Sequence, residues 1–379
     1  MTTGLHVLHA HSGNIFGGVE TLLRTLATWQ TSAPDVRHSF ALCFEGALTD
    51  RLAESGTRWH SLQPVRVSRP WTVARARRRF ARLVDEIGPE LVMTHSAWSH
   101  VVFAPVARKR GIRLVYWMHA PPSGRHWLER WARRTPPDHV VCNSHFTAAG
   151  APRLFQGVPS DMVYYAVAPP AAPPRGIGTT VRAAWETPED AIVFAQTSRL
   201  EAWKGHRVFL AALARLADLP NWVGWIVGGA QTPAESDYLA QLKERSAQLG
   251  IQDRIRFLGQ HADVSLVLRA ADVLCQPNIG EEPFGIVFVE ALYCGLPVVT
   301  TDFGGAIEIV DDTCGMRTPP GDVAAVAAAL RRLIENTDLR HQLGRAGPAR
   351  AAAVAEPAQQ VRRLAQVLVA ARLPMEGPQ

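Results

Sequence analysis

The sequence predicts an α/β chain built from two Rossmann-like halves, and three observations carry that reading. Short apolar runs alternate with helix-periodic segments from one end to the other, the pattern of a parallel sheet with crossover helices. The alternation breaks once, at "AVAPPAAPPRG" (166–176), too rich in proline for a helix or an inner strand and therefore a linker. The 379 residues exceed what one ordinary core holds. The expected domains are 1–170, 177–355 and a C-terminal helix, 356–379, that can pack back on the N-terminal domain. Two such halves face each other across a cleft, a natural ligand site.

In order, "LHVLHA" (5–10), "HSFALCF", "ELVMTH", "RLVYWMH" and "HVVCNS" read as strands of the first half. A helix begins near Val19 after a glycine-rich loop, and "VARARRRFARLVDEIG" places Val73, Phe80, Leu83, Val84 and Ile87 on one helical stripe. After the linker, "AIVFAQTS", "WVGWIVGG", "IRFLGQ", "VLCQPN" and "PVVTT" are strands. The helices between them are "HRVFLAALARLA", "SDYLAQLKERSAQLG", "VSLVLRAA", "FGIVFVEALYCG" and "VAAVAAALRRLIEN". In open α/β sheets ligands gather at the carboxyl ends of the strands.

Composition, 47% hydrophobic and 20% charged, is that of a soluble globular protein. No apolar run is long enough to span a bilayer, and the first residues lack the basic and apolar regions of an export signal. Five widely spaced cysteines without C-x-x-C argue against a disulfide framework or a zinc site and for a reducing, cytoplasmic setting. Cys43, Cys142 and Cys275 lie in apolar runs as core packing. A formal charge of +6 suggests an anionic partner. No nucleic-acid motif accompanies it.

Three clusters carry chemistry. In "HSGNIFGGVE", Gly17 and Gly18 open a helix whose unpaired N–H groups suit a phosphate; a plain βα turn is the alternative. The G-x-G-x-x-G dinucleotide fingerprint is absent. In "TSRLEAWKGH", Arg199 and Lys204 follow a strand end, where two converging cations would stabilise a diphosphate leaving group. Cations are otherwise unfavourable at a helix start. In "GEEPFGIVFVEALYCG", Glu282 and Glu290 are eight residues apart, about 80° out of register on one helix, so a shared face does not explain them. Pro283 disfavours helical dihedrals at Glu282, which puts Glu282 in the loop, the helix start near Gly285 or Ile286, and Glu290 about one turn inside. The N–H groups of Phe284 to Phe288 between them can hold phosphate. Glu281 reads as an exposed loop charge.

Glu282-Pro-Phe-Gly-x4-Glu290 resembles the E-x7-E signature of retaining glycosyltransferases of the GT-B fold. With "GGVE" (17–20), "SRLEAWKG" (198–205), "VGGA" (227–230), "IRFLGQ" (255–260) and "PVVTTDFGG" (297–305) in matching order, the chain resembles family-4 glycosyltransferases along most of its length. The resemblance implies transfer of a hexose from a nucleoside-diphosphate sugar, a UDP-sugar before GDP-mannose, to a hydroxyl acceptor with retention. It implies Gly17, Gly18, Arg199 and Lys204 at the diphosphate and Glu282 on the donor sugar. Glu290 would hold the ribose, Gly285, Ile286 and Val287 would bind through backbone N–H, and Phe257 and Leu258 would edge the base. His119, ending "RLVYWMH", matches the family's active-site histidine. The implied mechanism is front-face attack through a short-lived oxocarbenium ion pair, the leaving phosphate oxygen taking the acceptor proton. No D-x-D triad occurs, so no metal and no cofactor is expected; Arg199, Lys204 and a helix N-terminus would carry the leaving-group charge instead.

Other readings stay beside it. Two carboxylates also occur as a glycosidase acid/base pair, though a hydrolase needs neither Arg199 nor Lys204. A GT-B phosphorylase or sugar-nucleotide epimerase would share the fold, and a non-catalytic sugar-nucleotide-binding subunit the binding set. The chain departs from the family where "AVAPPAAPP" replaces an Asn-Gly-Val-Asp turn and where Pro283 replaces a common glycine. The acceptor, a small molecule, a glycan or a lipid-linked alcohol, is expected on the N-terminal domain, walled by His95, Trp98, Arg125 and Trp127. Arg75, Arg78, Arg79 and Arg82 form a cationic helix face. It reads as a solvated surface, with peripheral contact to an inner membrane surface as the alternative.

Overall fold

The computed structural model describes residues 4–13, 17–173 and 175–373. Among them the chain divides into two compact units: one holds the chain up to Ala168 together with everything from Ala355 onward, the other Pro169–Val354. Each is a parallel α/β unit.

The first unit has a seven-stranded sheet, numbered along the chain β1 (Leu5–His11), β2 (Val36–Leu42), β3 (Trp59–Ser61), β4 (Leu91–Thr94), β5 (Arg113–Met118), β6 (His139–Cys142) and β7 (Ser160–Met162). Its spatial order is β3-β2-β1-β4-β5-β6-β7, so the order reverses between β1 and β4, the switch point where α/β sheets bind ligands. All of β1 is buried, as expected of a strand covered on both faces. On one face Leu8, Ala10 and Val92 pack against Val73, Phe80 and Leu83 of helix Pro70–Ile87. That helix starts with proline at its first turn and ends at Gly88, following the usual asymmetry of helix ends.

The second unit has β8 (Ile192–Thr197), β9 (Trp222–Val227), β10 (Ile255–Gly259), β11 (Val273–Gln276), β12 (Val298–Thr301) and β13 (Gly315–Thr318). Their order is β10-β9-β8-β11-β12-β13, with the switch point between β8 and β11. Phe194, Phe209, Leu213, Trp222 and Leu330 centre one core layer and Val193, Trp225 and Leu258 the other.

The C-terminal helix, Pro357–Arg372, belongs to the first unit. Arg113 on β5 donates from Nε to the carbonyl of Ala371 (3.0 Å), Arg363 meets Asp161 at 3.2 Å, and Arg372 pairs with Glu90. Three short strands, β3, β7 and β13, lie outside the sequence reading, because "WHS", "SDM" and "GMRT" are short and not apolar runs. The helix Ala97–Lys109 was also not expected. It is buried almost all round, so it lacks the apolar stripe that marks a surface helix; Ser96 caps it by accepting from the N–H of Ser99. The five cysteines carry free thiols, four of them buried. Among the described residues no helix is long and apolar enough to cross a membrane, and no group of three or more His, Cys, Asp or Glu residues is arranged to hold a metal.

Candidate active site

In the second unit the carboxyl ends of β8 and β11 bring three predicted elements together. Lys204 sits in a short 3-10 turn, Ala202–Lys204, directly before helix His206–Ala214. Its backbone carbonyl accepts from Gln196 Nε2 of β8 (2.6 Å) and from Gln276 Nε2 of β11 (3.2 Å). With the backbone held from both strands, the ammonium crosses to Glu282, Nζ to Oε2 2.5 Å, over the Trp203 ring at 3.9 Å. Asn278 Nδ2 donates to the same carboxylate oxygen at 3.0 Å, and Gln276 Nε2 donates to Asn278 Oδ1 at 2.8 Å. Gly205 is required at the turn: its φ is +77°, and a Cβ there would lie 1.8 Å from the Pro277 carbonyl oxygen.

Glu282 lies in the loop and Glu281 is exposed. The helix starts at Ile286 behind Gly285, so Ile286 and Val287 occupy its first two positions, whose N–H groups have no acceptor within the helix. Glu290 stands one turn beyond Ile286, on the same helix face. The Phe284 side chain is buried. Gly305 N–H donates to the Glu282 carbonyl (2.6 Å), tying the "TDFGG" loop after β12 to this one.

Arg199, Phe257 and Leu258 each have partners within this unit. The Arg199 guanidinium pairs with Glu201 at 3.0 Å, and Glu201 in turn accepts from Trp203 Nε1 at 2.9 Å. The acid two residues on takes the cation. Alternation along β10 turns Phe257 onto helix Pro233–Gln248, with Lys243 Nζ 5.8 Å from its ring, and buries Leu258 in the opposite core layer.

In the first unit, residues 14–16 of the loop "HSGNIFGGVE" lie outside the described residues. Gly17 N–H is taken by Glu20 Oε2 (3.0 Å), and Glu20 Oε1 bonds His11 Nε2 (2.7 Å). A carboxylate thus already meets the start of helix Gly18–Trp29, where the sequence suggested phosphate, leaving the Gly18 and Val19 N–H groups for an anion. His119 follows β5, and its backbone carbonyl accepts from Asn143 Nδ2 at 3.1 Å. Both its ring nitrogens are engaged, Nε2 with His95 Nδ1 (3.0 Å) and Nδ1 with the Tyr165 hydroxyl (2.5 Å). Burial holds the His119 and His95 rings well below the ordinary imidazole pKa, hence neutral.

Of the expected acceptor wall, His95 is buried, Trp98 half-buried, and Arg125 and Trp127 exposed. His95 is 1% exposed and backs His119 rather than lining a wall. Trp98 opens helix Ala97–Lys109 and packs half-buried on the core layer of Val73 and Phe80. Arg125 and Trp127 are exposed, on a turn that Ser123 ties by donating to Glu129 (2.8 Å) and accepting the Arg125 N–H (3.1 Å). The residues missed from sequence are Gln196, Gln276, Asn278, His9, His38 and Tyr165. A signal existed for the first three: a polar side chain closing or following an otherwise apolar strand.

The family profile described as "Glycosyl transferases group 1" matches residues 179–350, and that described as "Glycosyltransferase Family 4" matches 16–164. Similar relatives include the phosphatidyl-myo-inositol mannosyltransferase of Mycobacterium leprae, 45% identical over 27% of this chain and 28% of that protein. The D-inositol 3-phosphate glycosyltransferase of Saccharomonospora viridis is 33% identical over 55% of this chain and 50% of that one. The matched stretches therefore span half or less of these relatives' length. Among solved structures, HepE of Anabaena in complex with UDP-glucose superposes with a TM-score of 0.85 at 24% identity, covering 97% of this chain and 100% of that one. WaaG, a glycosyltransferase involved in lipopolysaccharide biosynthesis, gives 0.71 at 17% identity over 96% and 99%. Both likenesses concern the fold, which is GT-B. Two consecutive profile matches, one on each unit, place the chain in its family: it belongs to the group 1 glycosyltransferases, of the family-4 type.

Proposed function

We propose that this protein transfers a hexose from a nucleoside-diphosphate sugar to a hydroxyl acceptor, with retention and without a divalent metal. The observation that carries this reading is the buried Lys204–Glu282–Asn278 cluster, set beside the free N–H groups that open helix Ile286–Tyr293. An ammonium and a helix N-terminus at one strand-end loop suit the diphosphate leaving group. Glu282, fixed by two donors on one oxygen, keeps its other oxygen for sugar hydroxyls. Glu290, one turn inside the helix, suits the ribose. In the transfer, the bond between the anomeric carbon and the β-phosphate oxygen breaks, the acceptor oxygen bonds the same face, and its proton passes to the released phosphate oxygen. Glu282 orients the sugar and does not attack it. The donor is a UDP-sugar, with GDP-mannose second; relatives named as mannosyltransferases and a fold neighbour that holds UDP-glucose support that pair.

A thermal-shift panel of UDP-, GDP- and ADP-sugars tests donor binding, since a ligand of the folded state raises the melting point by mass action. Proton NMR of the product reads the anomeric configuration, and the same assay with chelator reads the metal requirement. An inverted product, a chelator-dead enzyme, or release of sugar phosphate only with inorganic phosphate present would each overturn the corresponding part.

A further inference from the structure

Four imidazoles and a phenol form one hydrogen-bonded row across the first unit's sheet. His38 Nδ1 meets His9 Nε2 at 2.8 Å, His9 Nδ1 meets His95 Nε2 at 2.8 Å, His95 Nδ1 meets His119 Nε2 at 3.0 Å, and His119 Nδ1 meets the Tyr165 hydroxyl at 2.5 Å. The members come from β2, β1, the ends of β4 and β5, and the segment after β7, which follows the sheet order. Successive ring centroids lie 5.0, 5.1 and 5.3 Å apart, close to the spacing of neighbouring strands, about 4.8 Å. Phe40 stacks on His9 and Trp117 on His119. His11, itself bonded to Glu20, presents its ring edge-on to His95.

A neutral imidazole has one N–H and one acceptor nitrogen. Each link between two rings needs one of each, so all the rings must point the same way; turning one ring alone breaks the links on both sides, and unmade buried hydrogen bonds are costly. Burial keeps the rings neutral, lowering His38 to about 4 and His9, His95 and His119 well below the ordinary value. The end of the row fixes its sense. A neutral phenol is the better donor and a ring nitrogen the better acceptor, so Tyr165 donates to His119 Nδ1. His119, His95 and His9 then each carry the proton on Nε2 and donate to the next Nδ1, ending on His38.

We propose that His38, His9, His95 and Tyr165 are positioning residues that hold His119 in its Nε2–H tautomer, so that His119 offers Nδ1 as an acceptor to a substrate hydroxyl that takes the place of Tyr165. This rests on the reading of His119 as the active-site histidine of a glycosyltransferase. Of the two neighbours of His119, Tyr165 is 4% and His95 1% exposed, and His95 is held at both of its own nitrogens within the row, which places the exchange at the Tyr165 end.

The test uses the full chain labelled with 15N-histidine, its ring tautomers read from two-bond 1H–15N spectra at pH 7.5. The expected result is an Nε2–H tautomer at all four rings. His38→Leu removes the last acceptor, three rings from His119. It should mix the tautomers at His119 and lower kcat about two- to tenfold, the worth of one hydrogen bond, with KM for the donor unchanged. His38→Asn, which restores an acceptor at the place of Nδ1, should recover both. If His38→Leu does not fold, Tyr165→Phe at the other end should mix the His119 tautomers in the same way. An Nδ1–H tautomer at His119 in the wild type, or a folded His38→Leu with an unmixed tautomer, overturns the proposal. The spectra need no substrate: absence of sugar transfer would overturn the proposed function alone, and a wrong tautomer in an active enzyme would overturn this inference alone.

Discussion

Lys204 Nζ stands 2.5 Å from Glu282 Oε2, and this contact joins the loop after β8 to the loop after β11 across the switch point of the second sheet. Both side chains are almost buried, 13% and 12% exposed. Losing one partner of such a pair costs about 3–5 kcal/mol, because the other charge stays buried and unpaired, whereas replacing both is far milder. Lys204→Met should therefore lower stability by about 3 kcal/mol, and Lys204→Met with Glu282→Gln should recover most of it. Transfer should stay depressed by about a hundredfold or more in both, since the leaving-group charge is uncompensated. Urea midpoints and initial rates measure the two effects; equal stability of the single and double variants would refute the pairing.

Glu290 should matter to binding. Glu290→Ala should weaken nucleotide-sugar affinity about 10- to 100-fold, the worth of hydrogen bonds to a charged group. A full ligand-induced thermal shift in the variant would remove Glu290 from the donor site.

Gly205→Ala tests the turn that carries Lys204. The left-handed φ and a Cβ 1.8 Å from the Pro277 oxygen should together cost at least about 2 kcal/mol. Gly250→Ala, with φ +68° but nothing within 4 Å of the added carbon, should cost only about 1 kcal/mol. Similar urea midpoints for the two would show that the close approach is absent in solution.

Acid should unfold the protein early. Burial lowers His38, His100 and His206 from 6.5 to about 4. Between those values the unfolded chain binds more protons than the folded one, so stability rises with pH there. The contribution is complete above pH 6.5 and is lost as pH falls toward 4, about 1.4 kcal/mol per pH unit for each ring. Urea midpoints from pH 7.5 to 4.5 should fall steeply below 6.5, and a flat profile would mean the rings are hydrated.

The stripe of Trp71, Arg75, Arg78 and Arg82 lies exposed along helix Pro70–Ile87, while Arg79 is half-buried and Arg77 turns inward to donate to the carbonyls of Val101 and Val102. Read as a solvated face, it should give no co-sedimentation with anionic vesicles at low salt. Pelleting at low salt that high salt reverses would assign the face to a membrane surface instead.

The donor loop was legible because its signals are local. Pro283 forbids helix at Glu282, the helix does begin at Ile286, and Glu282 rather than Glu281 is the buried acid. The Arg199 pairing is equally local: Glu201, two residues on, takes its guanidinium. The clamp on Lys204 by Gln196 and Gln276 was not legible, because the two amides come from strands 80 residues apart in sequence and meet only through sheet order. The place of His95 was not legible for the same reason. Whether His95 lines a surface or supports a neighbour depends on what β1 and β5 set beside it.

By itself the sequence determined two parallel α/β halves, the linker between them and the loop-to-helix placement of Glu282 and Glu290, since hydrophobic period and proline sterics act over a few residues. Only the tertiary structure decided that His38, His9, His95, His119 and Tyr165 form one row and that Lys204 reaches Glu282. Hydrogen bonds between side chains are fixed by strand order and register, and these are set by packing of the whole sheet.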